Sequence, residues 1–121
     1  MTLSDIANNL KIIYAYCQDT YNENDGDELN HRITILNSYL ATSAEMLTYA
    51  KYNLDKRKGE VAENIEKSTS ATQAKNIIEG AVSIENRIFL QCERLNRTIT
   101  HQLDSIRTQL SYIKTQKENY D

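Results

Sequence analysis

The sequence predicts an all-α protein: a short N-terminal helix packed on a long, coiled-coil-like antiparallel hairpin of two helices. The first observation behind this fold class is composition, because the 121 residues include no proline and only three glycines, where average usage gives roughly six and eight. Proline interrupts helix interiors and glycine weakens them. The second observation is that apolar residues recur every seven positions along two long segments, as they do in coiled coils. The length fits a single helical domain over residues 1–121, with helices at about 3–21, 28–67 and 71–117.

The first predicted helix begins at a recognisable cap. Thr2 suits the N-cap position, and Asp5 supplies an acidic first turn. At 100° per residue, the apolar side chains of this helix form one stripe and predict one buried face. The members of the stripe are Leu3, Ile6, Ala7, Leu10, Ile13, Tyr14 and Cys17.

An acidic connector, NENDGDE at residues 22–28, follows the first helix, and Asp27 is the expected N-cap of the second. A calcium loop of the EF-hand type with its glycine at Gly26 requires an acid or amide at position 21 and glutamate at position 32. Those positions hold Tyr21 and Arg32. The connector is therefore interpreted as a solvated turn, and no metal site is predicted.

The second predicted helix carries two apolar stripes. The first has the three-and-four spacing of a coiled-coil seam and consists of Ile33, Leu36, Leu40, Ser43, Leu47, Ala50, Leu54 and Val61. The second lies roughly 100–150° around the helix and consists of Ile35, Tyr39, Met46 and Tyr49. Two apolar faces predict that this helix is sandwiched between neighbours. KRKG at residues 56–59 is typical of a helix end, but Val61 and Ile65 extend the stripe, so we predict a continuous or kinked helix to about Lys67.

The third predicted helix restarts at a capping box formed by Ser70 and Gln73. It runs from about residue 71 to residue 117, and Gly80 is the expected position of a kink. Its seam again repeats in sevens and should pack against the second helix at a left-handed crossing near +20°. The seam contains Ile78, Glu85, Cys92, Ile99, Ile106 and Ile113, widened by Ile88, Leu95, Leu103 and Leu110.

The predicted first helix is too short to cover all of the second stripe. The uncovered part is expected to be an exposed apolar patch, and such patches mark interfaces. We therefore predict a homo-oligomeric helical bundle whose interface contains Tyr39, Met46, Tyr49 and Tyr52.

A polar face lies opposite the seam of the third helix, within about 80° of arc by helical geometry. It consists of Asn86, Arg94, Arg97, His101, Asp104, Thr108 and Tyr112. Arginine binds phosphate or carboxylate through two parallel hydrogen bonds, and tyrosine stacks on nucleobases. These residues form a candidate ligand site, but the solvent-exposed side of any amphipathic helix is also rich in polar and charged residues. This polar face is therefore compatible with contact to solvent, to a second subunit or to a nucleotide.

Several functional classes are disfavoured by the sequence. No glycine-rich loop, nucleophile elbow or paired-carboxylate motif is present, so an enzyme and a bound cofactor are not expected. Cys17 and Cys92 lack metal-ligand spacing and are interpreted as buried thiols in a reducing compartment. The polar start MTLSDIANNLK does not fit a signal peptide, and no apolar run approaches the ~18 residues of a membrane span. The expected location is the cytoplasm, with no membrane partner.

Nucleic acid is a weak candidate partner. The net charge of −3 does not favour capture of a polyanion. Residues 86–118 nevertheless carry a basic surplus of three, enough to contact a few phosphates or one small anionic ligand but not to hold a long duplex tightly.

Two segments, LNSYLATSAEMLTYAKYNLDK at 36–56 and ENRIFLQCERLNRTITHQLDSIRTQLSYIK at 85–114, resemble small helical proteins encoded by bacteriophages and prophages of gut bacteria. The likeness covers about two-fifths of the chain. The matching positions are Glu85, Asn86, Arg94, Leu95, Asn96, His101, Gln102, Asp104, Arg107, Thr108 and Ser111. The resemblance implies a phage origin, hence the host cytoplasm, and assigns no activity.

Three functional hypotheses follow. The first is a counter-defence binding protein, a helical oligomer that sequesters an immune nucleotide signal or blocks a host defence protein. The alternative is an accessory protein of phage recombination or replication that contacts single-stranded DNA or a recombinase through the basic third helix. A structural helical adaptor is the third.

Overall fold

The computed structural model describes residues 1–120. It contains four helices, which are α1 (Leu3–Gln18), α2 (Gly26–Glu63), α3 (Ala71–Ala81) and α4 (Ser83–Tyr120). No strand occurs within the described residues, so the all-α prediction is confirmed. None of these helices combines the length and the apolar character needed to cross a membrane.

Two helix starts are closed by the predicted side-chain caps. The Thr2 hydroxyl accepts a hydrogen bond from the Asp5 amide at 3.1 Å, and the Asp5 carboxylate accepts one from the Thr2 amide at 3.0 Å. Ser70 Oγ accepts a hydrogen bond from the Gln73 amide at 3.2 Å. Each cap satisfies an amide that has no partner inside its helix. The N-caps at Thr2 and Ser70 are confirmed, but of the capping box predicted for Ser70 and Gln73 only the bond to the Ser70 hydroxyl is formed.

The connector between α1 and α2 is longer at its N-terminal end than predicted. α1 stops at Gln18 rather than near residue 21, because Asp19 has extended backbone angles. α2 starts at Gly26 because Asp25, not Asp27, is its N-cap. One Asp25 carboxylate oxygen accepts hydrogen bonds from the amides of residues 27 and 28, at 3.0 and 3.2 Å.

The ends of the long helices also differ from the prediction. α2 passes Gly59 without a break and ends at Glu63 rather than at Lys67. The interruption in the third predicted helix lies at Val82, two residues beyond Gly80. Hydrogen bonds from Val82 N to Ile78 O (3.0 Å) and from Asn86 N to Val82 O (2.9 Å) keep helical spacing on both sides, so α3 leads almost directly into α4.

α2 and α4 pack against each other in opposite directions. A Cβ added to Gly26 would lie 4.0 Å from a Leu110 methyl group near one end. Asn96 Nδ2 donates to Ser43 Oγ at 3.0 Å in the middle, and Lys51 lies over the ring of Phe89 further along. Residues early in one helix thus meet residues late in the other.

α1 packs against the same α4 and runs in the same direction as α4. Leu10 lies beside Gln91, and the carbonyl of Cys17 accepts a hydrogen bond from Gln102 Nε2 at 2.9 Å. Three helices therefore enclose one continuous core, which contains Ile6, Leu10, Ile13, Cys17, Leu29, Leu36, Met46, Ala50, Cys92, Leu95, Ile99, Leu103 and Ile106.

The predicted exposure of Met46 is wrong, because its side chain is fully buried. α1 and α4 both pack on α2, so the deepest face of α2 lies between the two predicted stripes, and Met46 belongs to it. Tyr39 is half-buried and meets the ring of Tyr16 edge-on, with centroids 5.3 Å apart. Tyr49 and Tyr52 are 39 % and 60 % exposed, so only these two of the four predicted interface residues are exposed.

Candidate functional site

The polar face predicted on the third helix is an exposed side of α4, and all seven of its residues are exposed. It is long rather than concave. At a rise of 1.5 Å per residue, Asn86 and Tyr112 are about 39 Å apart. Asn86 lies beside Lys58 and Glu79 at the α3 end of the molecule. One small ligand can therefore contact only a subset of the seven.

Three of the seven residues bond to neighbours on α4 itself. Asp104 lies 3.7 Å from a guanidinium nitrogen of Arg107, and its carbonyl accepts a hydrogen bond from the Thr108 hydroxyl at 3.0 Å. The Tyr112 hydroxyl accepts one from Gln116 Nε2 at 2.7 Å. These contacts belong to an ordinary exposed helix surface, so Asp104, Thr108 and Tyr112 are the weaker members of the predicted site.

Arg94 and Arg97 lie close to a second helix. Burial raises the pKa of the Tyr14 phenol in α1, and the positive charges of Arg94 and Arg97 act in the opposite direction. Both guanidinium groups are thus near enough to Tyr14 to influence its ionisation. Of the predicted site residues, this pair is the one placed beside α1.

A groove of about 320 Å³ runs along the junction of α1 and α4 and is lined by Ala7, Leu10, Lys11, Tyr14 and Gln91. We call it the α1–α4 groove. Ala7 and Leu10 contribute apolar surface, whereas Lys11 and Gln91 contribute polar groups. Sequence reasoning missed Lys11 and Gln91 because they become neighbours only when α1 packs on α4.

One cation, Lys11, lines the α1–α4 groove, and two more, Arg94 and Arg97, act on the phenol of Tyr14, which lines the same groove. Within residues 1–120, the four ion pairs involve Lys51, Arg57, Lys75 and Arg107. Lys11, Arg94 and Arg97 are therefore free of carboxylate partners in the part of the chain that the structure describes. Unpaired guanidinium and ammonium groups beside an apolar groove with a phenol can bind an anion that carries a flat ring.

Arg32 is a buried charged residue that was not among the predicted site residues. Its side chain is only 4 % exposed and lies between two rings, 4.5 Å from the centroid of Tyr16 and 4.2 Å from that of Tyr21. Its Nη2 donates hydrogen bonds to the carbonyls of Tyr16 at 2.9 Å and Cys17 at 3.5 Å. We refer to this arrangement as the Arg32 cap.

The Arg32 cap closes the C-terminal end of α1, whose last turn contains no basic residue of its own. Gln102 Nε2 donates to the Cys17 carbonyl as well. The Tyr16 carbonyl also accepts the Asp19 amide at 3.1 Å, so Arg32 adds a second hydrogen bond there and, with Gln102, supplies side-chain donors to the Cys17 carbonyl. A cation is favoured at this end of a helix. A cue exists in the sequence: Arg32 follows Leu29 by three residues and precedes Leu36 by four, which places it on the buried face.

The two cysteines are free and buried. Burial raises the pKa of the Cys92 thiol to about 11. Burial also raises the pKa of Cys17, with Arg32 acting in the opposite direction. Neither thiol is in the electropositive, exposed setting that activates a cysteine. Among residues 1–120, no three His, Cys, Asp or Glu side chains are grouped so that they could hold a metal ion.

Fold and groove together define this protein as an all-α domain with a groove between α1 and α4 that Lys11 and Tyr14 line. Comparison of the chain with protein-family models, with curated proteins and with solved structures gives no match. The functional assignment therefore depends on the groove and on its charges.

Proposed function

We propose that this chain is a non-enzymatic, phage-type binding protein that sequesters a small nucleotide signal of host immunity in the α1–α4 groove. The observation that carries the proposal is a group of three cations that have no ion pair within residues 1–120. Lys11 lines the groove together with Tyr14, and the charges of Arg94 and Arg97 act on the Tyr14 phenol.

The chemistry of the groove suits a nucleotide better than a simple anion. Phosphate oxygens would accept hydrogen bonds from Arg94 and Arg97, since guanidinium groups match their geometry. The base would lie on the apolar surface of Ala7 and Leu10 beside the Tyr14 ring, where stacking of a base on an aromatic ring contributes about 1–3 kcal/mol.

The size of the groove fits partial enclosure of such a ligand. Its volume of about 320 Å³ is near the lower end of the roughly 300–1,000 Å³ found for small-molecule sites. In the proposal, coiled-coil-like hairpins assemble into a homo-oligomeric bundle, and a second subunit covers the rest of the nucleotide. No bond of the ligand is broken, because sequestration requires only binding.

The test is a thermal-shift titration with cyclic dinucleotides and with ADP-ribose. A ligand at one hundred times its dissociation constant stabilises the folded state by about 2.7 kcal/mol, which corresponds to a rise in Tm on the order of 10 °C. Replacing both arginines, Arg94→Ala with Arg97→Ala, should abolish the rise.

The matched control is Arg107→Ala, since Arg107 is an exposed arginine of the same helix that pairs with Asp104. This variant should keep the full shift. Absence of a shift with every nucleotide at millimolar concentration, or an undiminished shift in the double variant, would refute the proposal.

The alternative functions predict different ligand-binding results for the same purified protein. An accessory protein of recombination or replication should bind single-stranded oligonucleotides with an affinity that falls steeply as salt rises. A protein that blocks a host defence protein, or a structural adaptor, should respond to neither ligand class.

A further inference from the structure

A pocket of about 210 Å³ lies where the connector between α1 and α2 meets the first turns of α2. We call it the connector pocket. Its lining combines Arg32 with two carboxylate residues, Asp19 and Glu28, and it also includes His31 and the apolar side chain of Ile35. The connector pocket and the α1–α4 groove have no lining residue in common, so the connector pocket is a separate candidate site.

Arg32 has more hydrogen-bond donors than the fold uses. A guanidinium group has donors on each of its nitrogens, but both hydrogen bonds of Arg32, to the carbonyls of Tyr16 and Cys17, come from Nη2. Nε is buried without an acceptor within residues 1–120, and Nη1 forms no hydrogen bond in that part of the chain either. A buried donor without an acceptor destabilises the folded state. The connector pocket is thus lined by a buried cation whose donors are incompletely satisfied.

The two carboxylates of the connector pocket do not pair with Arg32. Asp19 and Glu28 are exposed and line the pocket, yet the four ion pairs within residues 1–120 involve neither of them and do not involve Arg32. A simple anion in the pocket would be repelled by the two carboxylates, and a simple cation would leave the donors of Arg32 without acceptors. A molecule that carries one charge of each sign can satisfy both groups.

We propose that the connector pocket binds a free α-amino acid with an aliphatic side chain. The carboxylate of the ligand accepts hydrogen bonds from donors of Arg32 that the fold leaves unused, since a guanidinium group matches a carboxylate in charge and geometry. The ammonium group of the ligand lies toward Asp19 and Glu28, and the aliphatic side chain packs on Ile35. This site is independent of nucleotide binding in the α1–α4 groove.

The size of the connector pocket supports a ligand of this class. Its volume of about 210 Å³ is below the roughly 300–1,000 Å³ found for sites that hold drug-sized molecules. An aliphatic amino acid has fewer than half the non-hydrogen atoms of a mononucleotide. The pocket therefore suits a single amino acid better than a nucleotide.

The first experiment is an NMR titration of the intact protein with three probes at millimolar concentration. L-leucine carries both charges, leucinamide lacks the carboxylate, and N-acetyl-L-leucine lacks the ammonium group. L-leucine should shift the amide resonances of residues 19–21 and 28–35 and leave those of Lys11 and Gln91 in the α1–α4 groove unchanged. Each of the other two probes should bind about tenfold more weakly or worse, because it loses a charge-assisted contact. Leucinamide tests the contact with Arg32 without removing the Arg32 cap.

The second experiment replaces the two carboxylates. Asp19→Asn combined with Glu28→Gln should weaken L-leucine binding about fivefold or more, with unchanged helix content by circular dichroism. The matched control is Glu23→Gln combined with Asp27→Asn, which removes the same charge from the same segment at residues that do not line the connector pocket. Absence of L-leucine binding in this pocket, equal affinity for leucinamide or N-acetyl-L-leucine, or equal weakening in the two double variants would each overturn the proposal.

Discussion

Arg32 Nη2 donates a 2.9 Å hydrogen bond to the carbonyl oxygen of Tyr16, while the guanidinium of the same residue lies 4.5 Å from the Tyr16 ring centroid. A buried cation ordinarily requires an anion. Here the negative end of the α1 dipole and the faces of two tyrosine rings provide the opposite charge density. One side chain of α2 thus fixes where α1 ends and how the following connector folds over it.

Replacing Arg32 should destabilise the fold. Arg32→Ala leaves the last carbonyls of α1 without this donor and removes two ring contacts, so the free energy of unfolding should fall by about 2–4 kcal/mol. Arg32→Lys should recover only a part, because an ammonium group lacks the flat fork that donates and stacks at once. Urea denaturation followed by circular dichroism measures both values.

Arg107→Ala is the reference for this experiment, since its exposed pair with Asp104 should be worth only about 0–1 kcal/mol. If Arg32→Ala costs no more than Arg107→Ala, the Arg32 cap does not stabilise α1.

The hydrogen bond between Asn96 and Ser43 should contribute measurably to α2–α4 packing. Ser43 is fully buried; its hydroxyl donates to the Leu40 carbonyl at 2.9 Å and accepts from Asn96 Nδ2 at 3.0 Å. Asn96→Ala should lower the free energy of unfolding by about 1 kcal/mol. A double-mutant cycle with Ser43→Ala should give a coupling of about 0.5–1.5 kcal/mol, and strict additivity of the two changes would show that the bond contributes nothing.

The buried Cys92 thiol should make the fold less stable in alkaline solution. Its pKa is raised to about 11 in the folded protein, so the unfolded chain loses this proton at lower pH than the folded one. Stability from Cys92 is therefore constant below about pH 8.5 and falls as pH rises toward 11. Urea denaturation at several pH values should show a steeper decline for the intact protein than for Cys92→Ala.

That comparison cancels the contributions of Cys17 and Tyr16, whose pKa values burial also raises, because both proteins contain them and Cys92 acts on neither. Parallel declines in the two proteins would mean that Cys92 ionises equally easily in the folded and unfolded states. The same protection predicts slow labelling of the folded protein by thiol reagents at pH 8.

The buried face of α1 was predictable because a short helix with one apolar stripe has only one way to bury it. Ile6, Leu10, Ile13 and Cys17 are all buried. The caps at Thr2 and Ser70 were predictable for a similar reason, since each depends on residues three positions apart in the chain.

The full burial of Met46, unlike the buried face of α1, was not predictable from the pattern of apolar residues. Apolar residues cover much of the circumference of α2, and the direction from which α1 docks decides which of them lie deepest. Arg32 is a stronger case, because its hydrogen-bond partners are backbone carbonyls that become available only where α1 ends. The same distinction applies to the candidate site. Arg94 and Arg97 were predictable from the pattern of α4, whereas Lys11 and Gln91 become part of the site only because α1 packs on α4.

The bond between Gln102 and the Cys17 carbonyl joins residues 85 positions apart. The C-terminal end of α1 is therefore held by side chains of both α2 and α4, and we expect α1 to detach while α2 and α4 stay paired. In a native-state hydrogen-exchange experiment, α1 should be the unit that opens first, at a free energy below that of global unfolding. Each such opening also disrupts the α1–α4 groove. A ligand bound in that groove should therefore increase the hydrogen-exchange protection of the α1 amides.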